Sequence, residues 1–315
     1  MTSQGDEATP RSVQLSVDGT VVTATEGDSL LAVCRGLGVE VPTLCYGDTL
    51  TARNACRICV VELDGNRTLV PACSRPAEEG QVVHTDSARV RTSRKVVLEL
   101  LGSSVDLSLT KGVEAWNERY EADPSRFGPS AAPAGIGERD RRVTGEHHHA
   151  DPLTAATVAQ PAKIDNPLYV RDYSKCILCF KCVDACGEQW QNTFAISAAG
   201  RGFDARIATE FDVALTDSAC VYCGNCIAVC PTGALMSTAE FDLRGAGNWA
   251  PERQHETTTV CSYCGVGCNL TVHVQDNEIV NISSPSDHDV THGNLCIKGR
   301  FGYVNVQPPR RRVKD

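Results

Sequence analysis

The chain has 315 residues, 42% of them hydrophobic and only 5% aromatic, a balance that favours several small cores over one large one. A net charge of −9 argues against a general nucleic-acid binder, which needs a cationic face for phosphates. No apolar run reaches the length of a membrane span, and the polar start MTSQGDEATPRS has no apolar stretch to read as a signal peptide, so a cytoplasmic protein without membrane insertion is expected.

The outlying number is 17 cysteines. In a cytosolic chain such a content points to metal binding rather than disulfides. Setting Cys34 aside leaves sixteen in four groups of four: 45, 56, 59, 73; 176, 179, 182, 186; 220, 223, 226, 230; and 261, 264, 268, 296.

In chain order, VQLSVDGTVVTAT predicts two strands joined by an Asp18-Gly19 turn. GDSLLAVCRGLG predicts a helix starting near Asp28 or Ser29, with Cys34 as a small buried thiol in its apolar stretch. VVELDGNRTLVPAC predicts a second hairpin around Asp64-Gly65, and Cys45, Cys56, Cys59 and Cys73 lie in and around the loops that follow the helix. Their spacing is not the plant-type C-x4-C-x2-C pattern of a [2Fe–2S] ferredoxin. Residues 86–120 predict one or two helices, and 121–165, rich in Pro, Ala and Gly, a flexible linker. His147, His148 and His149 in that stretch read as solvated rather than metal-binding.

CILCFKCVDAC and CVYCGNCIAVC are both C-x2-C-x2-C-x3-C, repeated at an offset of 44 residues, with FAISAAG and DARIATEF between them predicted as strands. A [4Fe–4S] cubane needs four thiolates, and in two-cluster ferredoxins the fourth cysteine of each run serves the other cluster. The expected sets are therefore Cys176, Cys179, Cys182 with Cys230, and Cys220, Cys223, Cys226 with Cys186. Cys230 keeps the following proline of the ferredoxin pattern; Cys186 is followed by Gly187, which also permits a tight exit. Ile177, Phe180, Val183, Val221, Ile227 and Val229 are expected to exclude water, and Lys175 and Lys181 to offset negative charge. Paired zinc sites are the competing reading, but zinc gains nothing from the tandem pattern. Finally, Cys261, Cys264, Cys268 and Cys296 flank LTVHVQDNEIVNIS, a predicted hairpin turning at Asp276-Asn277, with Gly265 and Gly267 expected to supply positive φ.

With these motifs in view, strand–strand–helix followed by ACRICVVEL…PAC resembles the β-grasp [2Fe–2S] domain of the large iron–sulfur subunit of respiratory complex I, a domain similar to those of NAD-linked formate dehydrogenases and iron-only hydrogenases. CSYCGVGC with GNLCIKGRFGY resembles the small [4Fe–4S] domain of molybdopterin-dependent oxidoreductases, most closely formate dehydrogenase. In that family the lysine matching Lys298 lies between cluster and pterin, which makes Lys298 the one candidate cofactor-binding residue beyond the cysteines; its competing reading is a solvated surface lysine.

The resemblance implies an α+β multi-domain chain: a β-grasp [2Fe–2S] domain at 12–85, a helical extension at 86–120, the linker at 121–165, a two-cluster [4Fe–4S] ferredoxin domain at 166–240, a molybdopterin-oxidoreductase-type [4Fe–4S] domain at 257–306 and a basic tail at 307–315. It implies one [2Fe–2S] and three [4Fe–4S] clusters, as in the iron–sulfur region of a NAD-linked, molybdenum-dependent formate dehydrogenase alpha subunit. Two departures matter. RKVVLELLGSSVDLSLTKGVEAWNERYEADP lacks the His-x3-Cys segment usual after the β-grasp domain in complex I-like chains, so that further cluster is not expected. Only nineteen residues follow Cys296, so no pterin, flavin or catalytic residue is expected in this chain. The expected role is an electron-transfer subunit between a molybdenum/pterin catalytic subunit and a flavin/NAD-binding or other acceptor subunit. The alternatives are the diaphorase-like subunit of a NiFe hydrogenase or complex I-like dehydrogenase, a zinc-bound scaffold or redox sensor, and a truncated catalytic chain.

Overall fold

A computed structural model of the chain describes residues 11–128, 162–201 and 205–307, together with the backbone of 146–148 and 157–159. His149 and the tail beyond Gln307 lie outside the described residues.

The first unit is a five-stranded sheet carrying one helix. Its strands β1 (Ser12–Val17) and β2 (Thr20–Thr25) are antiparallel, joined by Asp18 and Gly19 at φ 48° and 84°, the left-handed pair a two-residue hairpin needs. Helix α1 (Leu30–Gly36) begins where Ser29 Oγ accepts the Ala32 N–H at 3.1 Å. Strands β3 (Val60–Leu63), β4 (Val70–Pro71) and β5 (Val82–His84) complete the sheet in the order β2-β1-β5-β3-β4, with β1 and β5 parallel. Alternation along β1 turns Val13, Leu15 and Val17 inward, where they meet Leu30, Leu31 and Cys34 of α1. Cys34 is fully buried in this core, and burial pushes its thiol up to about 11.

Helices α2 (Ala88–Ser104) and α3 (Val113–Tyr120) then pack against the cysteine loop. Arg94 of α2 is fully buried and donates to Ile58 O at 3.2 Å, Val60 O at 3.0 Å and the Tyr120 hydroxyl at 2.7 Å, clamping the backbone on either side of Cys59. The segment read as linker departs from expectation at both ends. Residues 121–128 dock on α2 through Arg126 and the buried Glu99 at 2.8 Å, and a Cβ on Gly102 would come within 2.6 Å of Pro124. Ala162 and Ile164 join an apolar cluster with Val170 and Met236. In between, β6 (Glu146–His148, which holds His147 and His148) pairs with β7 (Thr157–Ala159).

The repeated cysteine runs build a pseudo-symmetric unit. Strand β8 (Tyr169–Arg171) precedes the first run and helix α4 (Lys181–Cys186); β9 (Ser197–Ala199) and β10 (Arg206–Ala208) pair as an insertion. The second run leads into α5 (Asn225–Ala228), and β11 (Leu235–Ser237) returns antiparallel to β8 before α6 (Thr238–Gly245). The last unit is a three-stranded antiparallel sheet of β12 (Gln254–Val260), β13 (Asn269–Gln275) and β14 (Glu278–Ser283), followed by the short helix α7 (Ile297–Phe301). Asp276 and Asn277, at φ 53° and 63°, make the turn between β13 and β14. The core is divided into several small apolar clusters, as the low aromatic content suggests, and the inner one takes in Leu50 from the first unit and Phe301 from the last.

Candidate metal centres

The loop of the first unit draws its four cysteines into two pairs. Cys56 N–H donates to Cys45 Sγ at 3.4 Å, and the sulfurs of Cys59 and Cys73 are 3.5 Å apart. Within each pair the sulfur–sulfur hydrogen bond favours one thiolate beside one thiol, lowering Cys56 and Cys59 and raising Cys45 and Cys73. Asn54 and Arg57, both at positive φ, bend the backbone around the site.

The two ferredoxin-like runs show one local design used twice. Leu178 and Phe180 in the first run, and Tyr222 and Gly224 in the second, occupy matching positions and all take the left-handed conformation. This turns successive N–H groups inward. The N–H groups of Leu178 and Lys181 donate to the sulfurs of Cys176 and Cys179, those of Tyr222 and Asn225 to Cys220 and Cys223. Two small cavities result. Cys176, Cys179, Cys182 and Cys230 line one; Cys186, Cys220, Cys223 and Cys226 line the other. The fourth cysteine of each run thus sits with the other run's three. Burial pushes Cys176 up to about 12 and Cys179 up to about 11, and also raises Cys182 and Cys226. Buried thiols around an apolar cavity, facing inward N–H groups, fit a group that needs thiolate donors and offers its own positive charge.

Phe180, Val183, Ile227 and Val229 pack around these cavities and Ile177 lines the first, whereas Val221, in the lining of the second, is itself 43% exposed. Lys175 also corrects the expectation drawn from sequence: it is buried between Asp106 at 2.9 Å and Asp172 at 2.6 Å, so its charge is already matched. Lys181 does act on Cys179, whose thiol it lowers.

The terminal set is built differently. Cys261 is buried, Cys268 half-buried, and Cys264 and Cys296 are exposed. Cys268 feels the charge of the other three, which places the four together. Of the two glycines in the loop, Gly267 has φ +67°, while Gly265 is not in the left-handed region. Tyr263, Val266, Val260 and Ile297, neighbours of these cysteines in the sequence, are 40–60% exposed and put apolar surface beside them. Lys298 is exposed on α7. Among the described residues no three His, Cys, Asp or Glu side chains converge closely enough for a single metal ion; a cubane spreads its sulfurs more widely than one tetrahedral ion does.

The units adjoin one another. Arg300 of the terminal unit donates to Cys223 O at 2.9 Å, and Asn225 Oδ1, next to Cys226, accepts the N–H of Leu295, next to Cys296, at 3.1 Å. Arg53 forms a two-pronged ion pair with the buried Asp184, and Trp190 Nε1 donates to Thr49 O at 3.2 Å, fastening the first unit to the second. Arg94, Asn225 and Arg300 escaped the reading of the sequence. Charged and amide side chains without periodic context carry no local signal, and only the CGNC and CIKGR settings of the last two marked them out.

Residues 10–88 match a 2Fe-2S iron-sulfur cluster binding domain, 175–234 a 4Fe-4S dicluster domain, and 254–307 the molybdopterin oxidoreductase Fe4S4 domain. An NADH-quinone oxidoreductase subunit of Rhizobium meliloti is 30% identical over 96% of this chain and 32% of its own length. A putative formate dehydrogenase of Staphylococcus haemolyticus is 26% identical over 95% of this chain and 32% of its own length. Over nearly its whole length the chain is similar to about a third of each of these oxidoreductases. A crystal structure of an NAD+-reducing [NiFe]-hydrogenase matches the fold with a TM-score of 0.55 at 22% identity, covering 72% of this chain and 88% of that one. This iron–sulfur region spans about a third of the length of the curated relatives it matches. It contains a 2Fe-2S domain and 4Fe-4S domains, and none of its described helices is long and apolar enough to cross a membrane.

Proposed function

We propose that the chain is a four-cluster electron relay, with one [2Fe–2S] and three [4Fe–4S] clusters, serving a formate dehydrogenase-type molybdenum enzyme. The observation that carries this reading is the pair of cavities, each lined by four cysteines, lying between the β-grasp loop and the terminal unit. Cys45 with Cys56, and Cys59 with Cys73, suit the two irons of a [2Fe–2S] cluster, each of which takes two thiolates. Cys176, Cys179, Cys182 and Cys230 hold the next group; Cys186, Cys220, Cys223 and Cys226 the third; Cys261, Cys264, Cys268 and Cys296 the last. When bound, the clusters supply one-electron carriers. The chain's own residues keep water from the inner two, aim N–H groups at the sulfurs, and fix the order of the sites.

The apolar rim around Cys264 and Cys296 supports contact with a molybdenum/pterin catalytic unit, with Lys298 facing it. A flavin/NAD-binding partner belongs at the β-grasp end. Anaerobic purification of the native complex tests this: molybdenum and formate oxidation should co-purify with the chain. Recovery with a NiFe subunit or a quinone-reducing assembly instead supports the second reading, a relay of hydrogenase or complex I type, which the similarity to the NADH-quinone oxidoreductase of Rhizobium meliloti favours.

A further inference from the structure

Arg300 is 3% exposed, and its guanidinium has only neutral acceptors. Its Nε donates to Cys223 O at 2.9 Å, Nη1 to Ile282 O at 3.2 Å and Nη2 to Asn225 Oδ1 at 3.1 Å. The other buried cations of this region have carboxylates: Arg171 has Asp165, and Lys175 has Asp106 and Asp172. Among the described residues Arg300 forms no ion pair. A guanidinium in such a place is costly unless a negative charge lies close by. Its Nε bond to the Cys223 carbonyl holds it beside the cavity lined by Cys186, Cys220, Cys223 and Cys226, and a guanidinium keeps its charge in proteins.

The backbone makes room for it. Gly224 has φ +72°, and a Cβ there would come within 2.4 Å of Arg300 Cδ and 3.0 Å of the Phe301 ring. In the first run the matching position is Phe180, so only one half of the repeat opens such a slot. Phe301 meanwhile stacks on Tyr169, whose hydroxyl lies 2.9 Å from Cys220 Sγ. Asn225 Oδ1 also accepts the Leu295 N–H at 3.1 Å, which links the neighbour of Cys226 to the neighbour of Cys296.

We infer that Arg300, reaching in from the terminal unit, is the fixed counter-charge of the cluster held by Cys186, Cys220, Cys223 and Cys226, and raises that cluster's reduction potential. The inference rests on the four-cluster reading above. One-electron reduction adds a negative charge to the site, and a guanidinium beside it in a poorly hydrated setting stabilises the reduced form. Arg300 is a positioning and tuning residue: it touches a ligand's carbonyl and no substrate.

The test is a redox titration of the full chain in its native complex, followed by electron paramagnetic resonance, with Arg300→Gln and Arg300→Lys. Arg300→Gln keeps hydrogen-bond donors and removes the charge; Arg300→Lys keeps the charge and loses the planar fork. The midpoint of one [4Fe–4S] signal should shift downward in Arg300→Gln and stay near wild type in Arg300→Lys, with the [2Fe–2S] signal unmoved in both. Equal shifts in both variants, no shift in either, or loss of the cluster in both would overturn the inference, because each assigns Arg300 a purely structural role. A wild-type protein without iron–sulfur signals would instead overturn the four-cluster reading itself, and this inference with it.

Discussion

The inner ferredoxin-like unit and the terminal unit begin their sites with the same C-x2-C spacing, yet they present their sulfurs in opposite ways. The inner thiols are enclosed by two halves of a repeat and by the units on either side. The terminal set leaves Cys264 and Cys296 in the open within an apolar rim. Under the proposed function, a site enclosed by its own chain would pass electrons to neighbours already in the molecule, and a site open on one face would be completed by a partner that covers it.

The largest expected effect breaks the symmetry inside the enclosed unit. Cys186→Ala should abolish the cluster of the Cys220, Cys223 and Cys226 set while sparing the one on its own run; spectroscopic loss confined to the Cys176 set would show the crossed arrangement to be wrong. The next contrast is between enclosed and open sites. In the chain separated from its complex, an iron chelator in air should strip the terminal cluster first, removing about four of about 14 irons before the inner signals decline. Simultaneous loss of all signals would erase the distinction.

Smaller effects probe the joints. Arg53→Ala leaves Asp184 buried without its partner and should cost roughly 3 kcal/mol, weakening the junction between the first two units; thermal unfolding followed at the [2Fe–2S] absorbance checks this. Arg94→Met should destabilise the same region by about 2 kcal/mol, because the carbonyls of Ile58 and Val60 lose their buried donor. The mildest is Ser29→Ala, which removes one helix cap and should cost about 1 kcal/mol without touching any cluster signal. A cluster lost in that last variant would mean the sheet and its metal loop are less independent than their packing suggests.

Much of this was legible before any coordinates. The hairpin at Asp18-Gly19, the helix capped at Ser29 and the turn at Asp276-Asn277 are local, and local chemistry determines them. Cysteine spacing suggested four-fold sets because a ligand loop is itself a short-range device. What escaped was long-range. Lys175 looked available beside its cysteine, but Asp106, far along the chain, neutralises it. Residues 121–128 looked like linker because their composition is polar and proline-bearing, and the close approach of Pro124 to Gly102 is visible only in three dimensions. Val221 sits between ligands as its apolar neighbours do, yet stays at the surface. The Arg300 slot depends on Gly224, 76 residues away in the chain, and no spacing rule joins them.

The central claim is the cluster inventory, and it is tested most directly by metal and sulfide analysis with Mössbauer spectroscopy on anaerobically purified protein. The account predicts about 14 irons per chain, divided between one [2Fe–2S] and three [4Fe–4S] centres, with little zinc. Stoichiometric zinc with little iron would contradict it.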